Sequence, residues 1–306
     1  MTLIIDSLQQ GMIYALLAFG IYISFRILSV PDLTTEGSFV FGLAVSAMCT
    51  NAGHPILAIP AAMLAGASAG LITGLMQTKL RIHPILAGII SMSLYSINLL
   101  VQGNAVNVTL LRVNTIFKII PFLNRNQAKT AVPIFFALVS CALLILFFHT
   151  HIGMCIRAVG DNESMVRASS INTDRCKILA FCVSNAFIAL SGAVLAQFQG
   201  YSDISSGTGT LVIGLASVII GEAIFGQRSV TLGFIASMAG SVVYRLILTY
   251  AMKYSPLDVF MLKLVSAVIV ALALSIPTFR LWASQARLKR RDGREEKAEG
   301  GTRSLA

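Results

Sequence analysis

The chain reads as an all-α, polytopic transmembrane helical bundle, and three observations predict that class. First, 56% of the 306 residues are hydrophobic and only 12% are charged, against about 25% charged in ordinary soluble domains. A soluble fold of this length has no core large enough to hide so much apolar side chain, so lipid is expected to solvate much of the surface. Second, apolar stretches of spanning length, about 20 residues each, follow one another along the chain. Third, the positive charge is grouped. Eight of the 23 Lys and Arg residues fall after Pro277, and Arg157, Arg167, Arg175 and Lys177 bracket one polar loop. The positive-inside rule produces such groups in cytoplasmic segments, with anionic headgroups as counter-charge. The net charge of +10 is therefore assigned to membrane lipid. No nucleic-acid partner is expected, because no basic soluble domain is there to bind one.

In order along the chain, the candidate spans are 8–28, 37–50, 56–78, 85–102, 131–149, 178–198, 209–226, 230–251 and 257–279. That is about nine, within roughly 8–10, since broken or tilted helices blur the count. The first stretch lacks the basic leading region of a cleavable signal and is expected to stay as a membrane segment. Residues 29–37, Ser-Val-Pro-Asp-Leu-Thr-Thr-Glu-Gly, read as a helix break inside the bundle. Such backbone is allowed at membrane depth only where protein or water satisfies it. Gly66, Gly70 and Gly74 form a doubled GxxxG on the third span, a pattern that lets another helix approach closely. The five cysteines, Cys49, Cys141, Cys155, Cys176 and Cys182, are odd in number and contain no CxxC, so neither a disulfide framework nor a zinc site is expected. His149 and His151 are two apart and share no helix face, which argues against a metal site there.

Charge also orients the chain. The tail after residue 280, the loop 150–177 and the short turn with Lys79, Arg81 and His83 are expected in the cytoplasm, and the segment 103–130 outside. That outer segment departs from the rule, since Arg112, Lys118, Arg125 and Lys129 stand in it without any acid. They are the candidates for docking an extracytoplasmic partner, because complementary charge speeds and orients such encounters. Anionic outer-leaflet headgroups are the alternative counter-charge.

The polar interruption at 150–177 is the most informative stretch. It is far longer than a turn between two spans needs, and Gly153 and Gly160 divide it into two short helical pieces. Asp161 or Asn162 can cap the second piece, with Glu163 at its positive first turn. Met165, Val166 and Ala168 give that piece a short apolar face beside Arg167, suited to a groove on a soluble partner.

The run Gly153, Arg157-Ala158-Val159-Gly160-Asp161-Asn162, Ala168, Ile171-Asn172, Lys177, Ala180-Phe181 and Ser184, followed by Gly192, resembles the cytoplasmic signature of ABC importer permeases. The branch is the one that handles branched-chain amino acids, simple sugars and nucleosides. Tyr14-Ala15-Leu16-Leu17-Ala18-Phe19-Gly20 with the later Glu36-Gly37, and Gly214 to Glu222 with Phe225-Gly226, resemble two further motifs of that branch. The wording Gly160 to Met165 with Asn172-Thr173-Asp174 is similar to a subgroup linked in part to uptake of amino acids, tryptophan and tyrosine included. Ser170 departs from the pattern, standing where the family usually has Gly; Ser is small, so the turn is expected to survive.

The resemblance covers about residues 8–280 and implies a division of labour. Residues 1–280 would be the transmembrane permease domain and 281–306 a basic, disordered cytoplasmic tail. Two permease copies would form the pathway, two cytoplasmic ATPases would drive it and a solute-binding protein would deliver the solute. The chain would sit in the inner membrane with its C-terminus cytoplasmic. Gly153, Arg157, Ala158, Gly160, Asp161, Asn162, Met165, Arg167 and Ala168 would make the coupling surface. The chain itself needs no cofactor on this reading and carries no Walker A pattern, so ATP belongs to the partner subunit. An amino acid is the expected solute, with a sugar or nucleoside as the alternative.

Polar residues within spans are the pathway candidates. Asp32 and Glu36 lie at the suspected break, while Asn98, Gln197 and Gln199 lie near the outer mouth; each could instead join helices. Glu222 is expected to pair with Arg228 or the coupling region. Arg245 and Lys263 are expected to snorkel to the interface. Two other functions compete. A self-contained secondary transporter leaves the 150–177 loop without a role. A membrane enzyme would need a catalytic or metal-spaced cluster, which the motifs do not supply.

Overall fold

A computed structural model of the chain describes residues 2–254, apart from 92, 112, 120–124 and 228. The expected span 257–279, Lys263 and the basic tail 281–306 lie outside the described residues. The architecture is an all-α bundle with one two-stranded ribbon. The long helices are α1 (Thr2–Ile21), α2 (Thr35–Asn51), α3 (Ala58–Thr78), α4 (Pro84–Ser91) and α5 (Leu94–Val101), then α7 (Arg125–His149), α10 (Thr173–Gln199), α11 (Thr210–Phe225) and α12 (Val230–Tyr254). Short elements join them: β1 (Asn107–Thr109), α6 (Ile116–Ile119), α8 (His151–Asp161), α9 (Glu163–Ala168) and β2 (Tyr201–Asp203).

Among the described residues, seven stretches are long and apolar enough to cross a membrane: Leu3–Ile27, Ala58–Thr78, Pro84–Val101, Gln127–His149, Thr173–Gln199, Ile204–Phe225 and Val230–Lys253. Each matches a span expected from sequence. The expected span 37–50 is also a helix, but α2 has only 17 residues, short for a full crossing.

Two ends of the bundle can be told apart. At one, β1 pairs antiparallel with β2, Asn107 opposite Asp203 and Thr109 opposite Tyr201; this is the ribbon end. At the other, Lys79 lies 3.3 Å from Asp174 beside α8 and α9; this is the loop end. The segments that charge placed on one side, 79–83 and 150–177, do share one end.

Helices α1 and α10 form the centre, with 78% of each apolar stretch buried, against 39% for α3, α7, α11 and α12. Small residues make their seams. On α3, a Cβ at Gly66 or Gly70 would strike the carbonyl oxygens of Asn185 or Phe181 on α10, so the doubled GxxxG is the α3–α10 seam. Serine hydroxyls finish other seams. Ser184 and Ser191 on α10 donate to the carbonyls of Gly20 (2.7 Å) and Ile13 (2.8 Å), and Ser241 on α12 donates to Gly11 (2.8 Å). Each such bond contributes roughly 0.6 kcal/mol within a membrane.

Both expected and unexpected breaks interrupt this regularity. α1 widens into a π-helical turn, Tyr22–Ile27, at the loop end; such turns frequently mark functional positions. The chain then passes without regular structure through 28–34, at the break anticipated near 29–37, and α2 starts inside the bundle. A second break follows β2, where the 3₁₀ turn Ile204–Gly207 leads to α11.

Candidate coupling and pathway sites

The loop 150–172 is built by three side-chain caps. Thr150 accepts from the Gly153 amide (3.4 Å) to start α8, and Asn162 accepts from Met165 (3.1 Å) to start α9. Asn172 accepts from Arg175 (3.1 Å) to start α10. Each oxygen satisfies an amide that the first helical turn leaves unpaired. All three caps come from residues of the stretch itself. Asn162, rather than Asp161, supplies the α9 cap.

Two glycines set α8 on the bundle. A Cβ at Gly153 would meet Phe147 and Phe148 backbone, and one at Gly160 would collide with the carbonyl oxygen of Ile27. α8 thus ends against the π-helical turn of α1. Below this junction Phe234 of α12 packs edge-on to Tyr22 (centroids 5.0 Å) and Phe19 (5.9 Å) and lies 5.5 Å from Phe148. One aromatic knot thus joins α1, α7 and α12 beside the end of α8.

On α9, Val166 is buried, while Met165 is 69% exposed and Ala168 is exposed as well. The apolar face expected of Met165, Val166 and Ala168 is therefore divided. Met165 and Ala168, three apart, point outward, and Val166 anchors the helix from beneath. Charges hold it at the sides. Glu163 receives Lys177 at 2.6 Å and Arg167 at 2.9 Å. Arg167 also lies 3.7 Å from Asp174, which Lys79 reaches from α3. The Lys177 ammonium holds the Glu163 carboxyl below its ordinary value of 4.5, against a smaller opposing effect of burial. Ser170 turns the chain with φ +61°, the left-handed region that glycine adopts freely, which is a physical reason for the family's glycine there.

Beside the junction lies a cavity of about 520 Å³ bounded by Tyr22, Arg26, Arg157, Asp161, Glu222 and Gln227. Arg157 and Asp161 thus line a cavity instead of pairing within α9's network. Glu222 pairs with Arg26 on the π-helical turn (2.8 Å) and accepts from Gln227 (2.6 Å), which Arg26 also contacts. The expected partner Arg228 is outside the described residues, and Arg26 takes the role. Ala158 packs against the core from α8.

Four of the five pathway candidates have internal partners. Asp32 accepts from the Thr34 amide (2.9 Å), the Thr34 hydroxyl and Asn185 Nδ2 (2.8 Å). Glu36 accepts from the Gly209 amide at the start of α11 (2.8 Å), where a helix N-terminus favours an anion. The two carboxylates therefore fasten the two breaks. Asn98 donates to the Gly37 carbonyl (3.2 Å). Gln197 accepts from the Ile116 amide (3.0 Å) and donates to Pro55 (3.1 Å) and Ser46 (3.3 Å). Gln199 is exposed and lines a small cavity beside Thr115 and Lys118 at the ribbon end.

Of the basic docking candidates, Lys118 donates to the carbonyls of Val113 (3.0 Å) and Leu111 (3.3 Å). Lys129 sits 5.5 Å above the Phe198 ring. Arg125 begins α7, and Arg112 lies outside the described residues. Arg245 was expected to snorkel and does not. It is 9% exposed, with its guanidinium 4.0 Å from the centroid of the Tyr14 ring on α1.

The fold is a membrane-crossing helical bundle with a polar, capped face at one end. The family model for the branched-chain amino acid transport system permease component matches residues 3–281, and the chain belongs to that family. It is 36% identical over 269 residues to the tyrosine transport system permease protein of Clostridioides difficile, covering 87% of this chain and 88% of that one. It is 26% identical over 217 residues to the ribose import permease protein RbsC of Escherichia coli K12, covering 70% and 67%. It is 28% identical over 232 residues to an autoinducer 2 import system permease protein, LsrC, of Yersinia enterocolitica, covering 72% and 59%. No solved structure matches the chain. The protein is an integral membrane permease component of an ABC-type transport system, a transport subunit and not an enzyme.

Proposed function

We propose that this chain forms the solute pathway of an amino-acid importer as a homodimer, driven by a separate ATPase that seats on α8 and α9. The observation that carries the reading is the construction of that face. The capped helix α9 presents Met165 and Ala168 outward, while Gly160 of α8 and the Glu163 network tie the two helices to α1, α3 and α10. A surface that must transmit a rigid-body switch needs that stiffness. On this reading the loop end faces the cytoplasm of a bacterial inner membrane, as does the C-terminus, and the basic tail 281–306 lies on anionic lipid. The ribbon end then meets a solute-binding protein, with Arg112, Lys118, Arg125 and Lys129 supplying charge. Asp32, Glu36, Asn98 and Gln197 serve the helix joints; Gln199 is left as the candidate with free access at the outer mouth.

The amino-acid solute is favoured by the 36% identity to a permease named for tyrosine, over the 26% to one named for ribose. The test is purification of the tagged protein from its native membrane with identification of what co-elutes. An ATPase should accompany wild type and be lost or uncoupled when Arg157, Asp161 and Arg167 are changed to Ala. Uptake by the purified chain alone in liposomes, with no ATPase found, would refute the reading.

A further inference from the structure

Four helices bound a cavity of about 1080 Å³ at the ribbon end. Asp6 and Gln9 of α1, Lys129 and Thr130 of α7, Phe198 of α10 and Met252 of α12 line it. Asp6 and Lys129 each stand four residues past the first residue of their helix, about 6 Å along it. An acid and a base therefore meet one cavity from the starts of two different helices. Neither has a salt-bridge partner among the described residues, and they do not pair with each other. The two walls are nevertheless joined, since Gln9, 6% exposed, donates to the Thr130 hydroxyl at 2.7 Å.

Lys129 is half-buried, and its ammonium lies 5.5 Å above the Phe198 ring. The same pair lines the smaller cavity that Lys118 and Gln199 border. The ammonium thus stands where the two spaces adjoin, on the side from which a solute would be delivered. A ring offsets only part of the cost of desolvating a cation and leaves its N–H donors for a ligand.

This lining selects a class of ligand. A sugar would leave both charges without a counter-charge, and a purely anionic or cationic solute would leave one. Polar groups left unpaired in a closed site count heavily against the wrong ligand. Only a molecule carrying both charges answers both residues, and Phe198 and Met252 offer an apolar surface to the rest of it. The volume is that of a small-molecule site.

We propose that this cavity is a solute site for a zwitterionic α-amino acid, with Lys129 binding the carboxylate and Asp6 the ammonium. The proposal deepens the amino-acid reading above and rests on it. Selection for the amino-acid backbone then belongs to the permease as well as to the delivering protein.

The test uses the permease purified from its native membrane with its accompanying subunits, placed in lipid nanodiscs without binding protein. Equilibrium binding of radiolabelled L-tyrosine is measured against three competitors: tyramine, which lacks the carboxylate, desaminotyrosine, which lacks the ammonium, and ribose. Wild type should bind tyrosine more tightly than either analogue. K129Q should lose about 10-fold or more in tyrosine affinity, the effect of a lost charge-assisted hydrogen bond, and should stop distinguishing tyrosine from tyramine while still rejecting desaminotyrosine. D6N, at a more exposed position, should lose about threefold to fivefold with the opposite pattern. A purely structural role would not produce that crossing of preferences. K129R should restore discrimination against tyramine, and it carries the test should K129Q fail to fold. Unchanged discrimination in the variants, an equal loss of all ligands in K129R or D6N, or a wild type that binds neither tyrosine nor ribose overturns the site alone. Wild-type binding of ribose and not tyrosine overturns the amino-acid reading itself.

Discussion

Arg167 at the loop end and Arg245 in the core are used in opposite ways. Arg167, with 61% of its side chain exposed, is shared between Glu163 at 2.9 Å and Asp174 at 3.7 Å. Arg245 is buried over an aromatic ring, with no acid paired to it among the described residues. Solvent makes the first arrangement cheap and individually weak, with a single exposed pair contributing about 0–1 kcal/mol. Five linked charges nonetheless fix where α9 sits relative to α3 and α10. The second arrangement costs desolvation of the cation, which the Tyr14 ring offsets in part. One end of the permease uses charge to hold a shape, and the core holds a buried cation against an aromatic ring.

The comparison breaks most severely at the junction between the two regions. Gly160→Leu drives a side chain into the Ile27 carbonyl and should lift α8 from the π-helical turn; overpacking of that kind costs about 1–3 kcal/mol. Solute uptake in proteoliposomes containing the whole complex should fall below about one-tenth of wild type, since 1.4 kcal/mol is tenfold. Wild-type uptake would disconnect α8 from α1.

Glu163→Gln removes the centre of the charge network and should lower solute-stimulated ATPase activity about threefold, in line with weak, exposed pairs. The pH dependence has a definite sign. Because the Glu163 carboxyl is held below 4.5, its stabilisation is fully present above that value and is lost as pH falls through the lowered one. Wild type should therefore show an acid limb in ATPase coupling that E163Q lacks. An identical limb in both would assign it elsewhere.

At the ribbon end, Arg112→Glu with Lys118→Glu should raise the apparent KM for binding protein about threefold to tenfold, with the effect shrinking in high salt. An unchanged KM would leave those cations to lipid. The smallest effect is expected at Ser170, whose φ of +61° disfavours a side chain. Ser170→Gly should raise stability by about 0.5–1 kcal/mol, read as a higher Tm of the complex. A lower Tm would mean that the serine side chain matters more than the backbone.

What could be read from the sequence followed from local pattern. Apolar stretches gave the helices, Gly66, Gly70 and Gly74 gave a seam, and the pair Asp161-Asn162 marked the start of α9, which Asn162 caps; the Asn172 cap of α10 was not anticipated. What could not be read was pairing across distance. Asp32 meets Asn185 from 153 positions away, and Glu36 meets Gly209 from 173, so carboxylates that look like pathway groups in sequence turn out to have partners at helix breaks. The π-helical turn at Tyr22–Ile27 left no periodicity to detect. Arg245 left no such signal: its place near the end of the expected span 230–251 suited snorkelling, and only the fold shows it buried over Tyr14.

The central claim is that α9 is seated in the ATPase, and a photo-crosslinker tests it most directly. Met165→p-benzoylphenylalanine places the reactive group at an exposed side chain of α9, and Lys118→p-benzoylphenylalanine serves as the ribbon-end comparison. Irradiation of native membranes should join the Met165 variant to an ATPase subunit and the Lys118 variant to none. An ATPase adduct from Lys118, or from neither position in a complex that still transports solute, would contradict the account.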